Sequence, residues 1–217
     1  MIVDLHLGGK NILIVGSGNE ALKRVKLLEN EGCQITVLGE KPHPTIKKLS
    51  EEQKIKFKKI KLTSANFIKR YKPFLVIAST SDSQLNKKIV QTSKKLKILT
   101  YASDSPETSD ISYLSLVDLK GTVKVGISTG GASPIMAKKI KSKTEKLLKK
   151  TITENDLLLI KIQNFARNES KKYIQTPDER KKFLYSLMSD KRVKELLKDG
   201  KYKRIQATIK KMVRDWK

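Results

Sequence analysis

The stretch Ile12-Leu13-Ile14-Val15-Gly16-Ser17-Gly18-Asn19-Glu20-Ala21 constrains this chain more than any other, because an apolar run passes directly into a G-x-G-x-x-A turn. Four consecutive apolar residues, Ile12 to Val15, suit a parallel strand covered on both faces. Gly16 permits the sharp bend, Gly18 lets the main chain approach a pyrophosphate with no Cβ in the way, and Ala21 lets the next helix lie close to the sheet. A helix that starts here aims unpaired N–H groups and the positive end of its dipole at an anion. The spacing points to a dinucleotide site formed by Gly16, Ser17, Gly18, Asn19, Glu20 and Ala21. It also describes an ordinary strand-to-helix turn, and the strand and helix that flank it favour the first reading.

At 217 residues with a net charge of +25, the chain can bury a substantial core and favours anionic partners: nucleic acid, an acidic membrane surface or a polycarboxylate. Its lysines run along the whole chain, so a lysine-rich composition with no such partner explains the charge as well. No stretch is long and apolar enough to span a bilayer, and no basic-then-apolar leader opens the sequence, which leads us to expect a cytoplasmic protein with no membrane partner. The single cysteine, Cys33, excludes an intrachain disulfide and is expected to be a buried, inert thiol. The two histidines, His6 and His43, stand in no cluster with metal-ligand spacing, and no resident metal is expected.

In chain order, residues 1–10 lead through Gly8-Gly9 into the first strand, a helix spans Asn19 to Glu31 with Gly32 as its stop, and a second strand spans Gln34 to Leu38. This is a βαβ unit of about thirty residues. Glu40 follows roughly twenty positions after the glycine turn, where a carboxylate accepts hydrogen bonds from an adenosine ribose and repels a 2′-phosphate. A solvated turn residue is the plainer account of Glu40. The spacing then predicts a helix over Ile46 to Gln53, a strand over Ile55 to Ile60, a helical turn over Asn66 to Tyr71, and a strand over Phe74 to Ala78. Ser79, Thr80 and Asp82 follow that strand at the ligand-binding edge of the sheet. A helix over Gln84 to Leu96 leads into a strand over Lys97 to Ala102, after which Asp104 faces the same crevice or serves as a turn residue before Ser105-Pro106.

Two β-rich segments, Ile111 to Leu119 and Thr122 to Ser128, joined at Lys120-Gly121, read as a hairpin. A second glycine loop, Thr129-Gly130-Gly131-Ala132-Ser133-Pro134, feeds a lysine-rich helix from Ile135 to about Lys150 and has the makings of an anion cradle. Helices over Glu154 to Ser170, Arg180 to Leu187, Asp190 to Leu197 and Lys203 to Trp216 complete the chain as a small helical module.

Several of these motifs line up in one order. Val15-Gly16-Ser17-Gly18 with Ala21 and Lys23-Arg24, Ile77-Ala78-Ser79-Thr80-Ser81-Asp82 with Asn86, Asp104-Ser105-Pro106 with Asp110, and Ser128-Thr129-Gly130-Gly131-Ala132-Ser133-Pro134 together resemble the precorrin-2 dehydrogenase and sirohydrochlorin ferrochelatase family of siroheme biosynthesis (the N-terminal type of siroheme synthase). Arg180-Lys181-Lys182-Phe183 and Asp190 to Leu197 are similar to its helical tail. The resemblance implies an α/β fold: a Rossmann-like NAD-binding domain over residues 1–110, a small α+β dimerisation segment over 111–150 and a helical domain over 151–217. It implies a homodimer, and a reaction in which NAD⁺ takes a hydride from precorrin-2 to give sirohydrochlorin; some members then insert Fe²⁺ as a second substrate. Asp104 matches the aspartate that the family's chemistry needs, and Ser128, Gly130, Gly131 and Ser133 become candidates for substrate binding. The polycarboxylate substrate gives the basic composition a use. With no methyltransferase-like extension after Lys217, the chain is expected to use precorrin-2 and not to make it.

Two departures stand near the expected site: Tyr101 where many relatives have Asn, and Leu114 where they have Pro. The competing readings are an NAD-sensing regulatory protein and a basic nucleic-acid-binding protein, both without catalysis. Aromatic residues are few and not interleaved with the lysines, and no nucleic-acid motif is present, so no specific nucleic-acid partner is expected.

Overall fold

The computed structural model describes residues 2–216; Met1, at the start of the lead-in, and Lys217 lie outside the described residues. The chain divides into two compact units between Tyr113 and Leu114. In the first, five strands form a parallel sheet: β1 (Asn11–Val15), β2 (Gln34–Gly39), β3 (Lys56–Lys59), β4 (Leu75–Ala78) and β5 (Leu99–Ala102), in the order β3-β2-β1-β4-β5. The order reverses at β1, which pairs with β2 on one side and β4 on the other, so Val15 lies between Leu38 and Ala78. A crevice at such a reversal is where open α/β sheets bind ligands.

Alternation along β1 explains its unbroken apolar run. Ile12 and Ile14 join Ala21, Val25 and Leu28 of α1 (Asn19–Leu28) and Ile46 and Leu49 of α2 (Pro44–Glu51) in one core. Leu13 and Val15 join Ile68 of α3 (Phe67–Tyr71) and Leu85, Ile89 and Val90 of α4 (Ser83–Lys95) in the other. The sheet is thus covered on both faces, as a parallel sheet must be. Helix α1 stops at Leu28, short of the expected Glu31, because the chain tightens into turns that carry Gly32 into the left-handed region (φ +66°). Cys33 is half-buried, and burial pushes its thiol upward in pKa, so the thiolate is disfavoured.

The edge strand β5 is closed by a stack. Arg24 of α1 lies over the rings of Tyr101 (4.7 Å) and Tyr113 (4.4 Å) and donates from Nη2 to the Tyr101 hydroxyl at 2.9 Å. The two rings meet edge-to-face at 4.8 Å. Desolvation pushes the Tyr113 phenol up to about 12, which keeps its hydroxyl protonated. Ile111 packs on the core, and Asp110 exchanges hydrogen bonds with the main chain of Thr100. Ile111 and Tyr113 therefore serve the first sheet's edge, and the strand expected from Ile111 starts only at Ser115.

In the second unit, β6 (Ser115–Leu119) and β7 (Val123–Ile127) form an antiparallel hairpin connected by Lys120, Gly121 and Thr122, of which Lys120 and Gly121 have positive φ. Leu114 packs against Gly126, where a Cβ would collide with it. Helices α5 (Pro134–Thr151), α6 (Glu154–Tyr173), α7 (Pro177–Ser189), α8 (Lys191–Lys198) and α9 (Tyr202–Arg214) follow. Four of the five begin at side-chain caps: Ser133, Thr153 in a capping box with Asp156, Thr176 and Asp190. Ile162, Phe183, Leu187, Ile205 and Ile209 are the centre of the core shared by α6 to α9. No helix among the described residues is long and apolar enough to cross a membrane.

Phe183 is fully buried and meets Trp216 edge-to-face at 5.2 Å. Phe183→Ala is expected to destabilise this unit by about 3–5 kcal/mol, read as a lower melting temperature by circular dichroism at 222 nm.

Candidate active site

The glycine turn is held by three strands. Gly16 N–H donates to Leu38 O at 2.8 Å, while Val15 O accepts from both Ser79 N–H (2.7 Å) and Ser79 Oγ (3.0 Å). Gly16 has φ +113°, and a Cβ there would collide with the Ser79 carbonyl. Ser17 is buried; its Oγ donates to Lys41 O at 2.9 Å, and its carbonyl accepts from His43 N–H at 2.8 Å. Gly39 lies so close that a Cβ would collide with Ser17 Oγ. The β2–α2 loop, which carries Glu40, is thereby clasped to the turn. Glu40 is exposed and its carboxylate has no partner among the described residues.

Gly18 differs from Gly16. Its φ is −88°, and a Cβ there would enter open space. The first helical hydrogen bond runs from Leu22 N–H to Gly18 O, so the N–H groups of Asn19, Glu20 and Ala21 precede the helical ladder and point out of its end. These are the features that a bound pyrophosphate needs: an open approach at Gly18 and donors at a helix start. Glu20 pairs with Lys23, and that hydrogen bond, offset in part by burial, holds its carboxyl below the usual range.

At the ends of β4 and β5 the side chains bond mainly to one another. Asp82 caps α4, its Oδ1 accepting from Leu85 N–H at 3.0 Å. Asn86 Oδ1 accepts from Thr80 Oγ1 at 2.7 Å and Thr80 N–H at 3.2 Å, while Asn86 Nδ2 donates to Thr80 O at 3.1 Å and Asp104 Oδ2 at 2.9 Å. Ser79, Thr80 and Asp82 therefore sit at the crevice edge as expected, but each side chain already has an internal partner. Asp104 is exposed. Because Val15, Ala78 and Ala102 are in register across β1, β4 and β5, Gly16 and Asp104 belong to one edge of the sheet, two strand spacings or about 10 Å apart across the strands.

The sequence singled out Asn86 only as part of a motif. The overlooked signal is an amide placed directly after Leu85 and three residues before Ile89, on the helix face that carries the buried Leu85, Ile89 and Val90. Tyr101 points to the α1 side of the sheet, into the stack with Arg24, while Asp104 bonds to α4 on the other side. The departure at Tyr101 is thus part of the edge closure.

The second glycine loop belongs to the second unit. Gly130 (φ +60°) and Gly131 (φ +83°) are left-handed with open space around them. Ser128 Oγ accepts from Gly130 N–H, and Ser133 Oγ accepts from Met136 N–H to cap α5. Among the described residues no three His, Cys, Asp or Glu side chains gather as a metal site.

Comparison with known proteins now bears on this edge. The model of an NAD(P)-binding family matches residues 3–115. The precorrin-2 dehydrogenase of Bacillus subtilis is 31% identical over 144 residues, covering 66% of this chain and 86% of that protein. The chain belongs to the precorrin-2 dehydrogenase and siroheme synthase family. The siroheme synthase of Nitrosococcus oceani is 31% identical over 144 residues, and that of Mannheimia succiniciproducens is 27% identical over 206 residues, or 95% of this chain. The matches span 30% and 41% of those two longer proteins. The solved structure of SirC, a precorrin-2 dehydrogenase, superposes with a TM-score of 0.68 at 22% identity over 97% of this chain and 99% of its own, which bears out the fold. Neither the purely regulatory reading nor the nucleic-acid reading finds support among these relatives.

The two glycines of the turn should separate in their effect on stability. Gly16→Ala is expected to cost about 2–4 kcal/mol through positive φ and collision with β4, whereas Gly18→Ala leaves the melting temperature unchanged; thermal unfolding of both variants checks this.

Proposed function

We propose that this chain catalyses the NAD⁺-dependent dehydrogenation of precorrin-2 to sirohydrochlorin. Membership of the family supports the reaction. The observation that carries the site assignment is Asp104, held by Asn86 at the same sheet edge as the glycine turn. The pyrophosphate would rest on the main chain of Gly16, Ser17 and Gly18 and on the N–H groups of Asn19, Glu20 and Ala21. Glu40, exposed and unpartnered among the described residues, would accept hydrogen bonds from the ribose and disfavour a 2′-phosphate. Ser79, Thr80 and Asp82 would line the crevice chiefly through main chain.

The reaction removes a hydride and a proton from the substrate. Nicotinamide, when bound, supplies the hydride acceptor. Asp104 takes the proton, acting as general base with its outward-facing carboxylate. We assign the hairpin, α5 and the loop residues Ser128, Gly130, Gly131 and Ser133 to a dimer that completes the substrate site. The exposure of Ile135 (80%) and Leu147 (60%) on α5 supports a covered face there. The surplus of lysine would draw a polycarboxylate toward the protein.

Purified protein incubated with precorrin-2 and NAD⁺ should form NADH and sirohydrochlorin; no nucleotide reduction would sink the proposal. Asp104→Ala should lose about two to four orders of magnitude in kcat. NAD⁺ should be preferred to NADP⁺, with Glu40→Ala narrowing the preference, and Gly18→Ala should raise KM for NAD⁺ in a stably folded protein. If Fe²⁺ added after oxidation enters sirohydrochlorin faster with enzyme than without, the same site also performs metal insertion.

A further inference from the structure

Asn86 donates a hydrogen bond to Asp104 Oδ2 and is only 1% exposed. A primary amide has two N–H donors and an oxygen with two lone pairs, and here all four are used. Its oxygen accepts from the N–H and Oγ1 of Thr80, and its nitrogen donates to Thr80 O and to Asp104 Oδ2. The orientation is not free. Thr80 N–H can only donate and Thr80 O can only accept, so rotating the amide by half a turn would set two donors against each other and two acceptors against each other. The nitrogen is thereby locked toward Asp104.

This has a consequence for Asp104, whose backbone lies on an exposed loop after β5. An exposed aspartate ordinarily samples several rotamers. Here Oδ2 is tethered to a group rooted in the core of α4, while Oδ1 has no partner among the described residues. We infer that Asn86 is a positioning residue, which fixes the Asp104 carboxylate through Oδ2 and leaves Oδ1 as the oxygen that receives the substrate proton. Thr80 acts one step further back, as the clamp that sets the amide's direction. The inference rests on the reading of Asp104 as the base.

Two variants test it from opposite ends, each assayed as the full chain with precorrin-2 and NAD⁺. Asn86→Asp keeps the size and the acceptor facing Thr80 but replaces the donor facing Asp104 with a carboxylate oxygen. Asp104→Glu, at an exposed position, keeps a base but carries its carboxylate a methylene away from the Asn86 amide. Each should lower kcat by about tenfold to a hundredfold, the scale of a misplaced catalytic group. KM for NAD⁺ should stay at the wild-type value, whereas a merely structural lesion would move KM and the melting temperature together. If Asn86→Asp does not fold, Asp104→Glu decides alone. Wild-type kcat in either folded variant, with Asp104→Ala inactive, overturns the positioning role; full activity in Asp104→Ala overturns the base assignment itself.

Discussion

The carbonyl of Val15 receives two hydrogen bonds from Ser79, one from its N–H and one from its Oγ, and this draws the end of β4 against the turn that follows β1. No side chain fits in the space that remains. Gly16 answers that constraint, and its positive φ redirects the chain so that α1 starts directly over the sheet edge. The same economy recurs on the other flank, where Gly39 admits Ser17 Oγ and the β2–α2 loop closes on the turn. Gly18, by contrast, faces open space, so the start of α1 stays accessible.

Much of this was legible in the sequence because it depends on local requirements. A sharp turn between a buried strand and a helix demands glycine at a set position, and the apolar run of β1 can only be a strand covered twice. The side chains after β4 and β5 were harder to read. Serine, threonine and aspartate at a sheet's carboxyl edge suggest a polar lining, yet Ser79, Thr80 and Asp82 bond to Val15, Asn86 and α4. Which partner a small polar side chain finds is decided by the packing of elements far apart in sequence, and no spacing rule encodes it. The same holds for Ile111 and Tyr113, whose composition suits a strand but which pack on the first sheet's core and on Tyr101 of β5.

The charge of the molecule acts on a different scale from these contacts. Several acidic side chains pair with lysines three or four residues away, as in Glu20–Lys23, Glu145–Lys149 and Glu179–Lys182. Such exposed local pairs contribute little to stability. Both units are instead held by apolar burial and by capped helix ends, so the lysine excess is not needed for folding. It remains free to act on solutes, which suits an enzyme whose proposed substrate carries several carboxylates.

Arg24 carries a different implication. Its guanidinium is largely withdrawn from water between two tyrosine rings, with Nε buried and no hydrogen bond to it. Planarity is what makes the arrangement work: a guanidinium can lie flat on a ring while donating at its edge, and an ammonium cannot. Positions 24, 101 and 113 therefore form a single packing unit: exchanging Tyr101 for a small amide would remove one ring and its hydroxyl from Arg24 and leave the guanidinium to Tyr113 and Glu20.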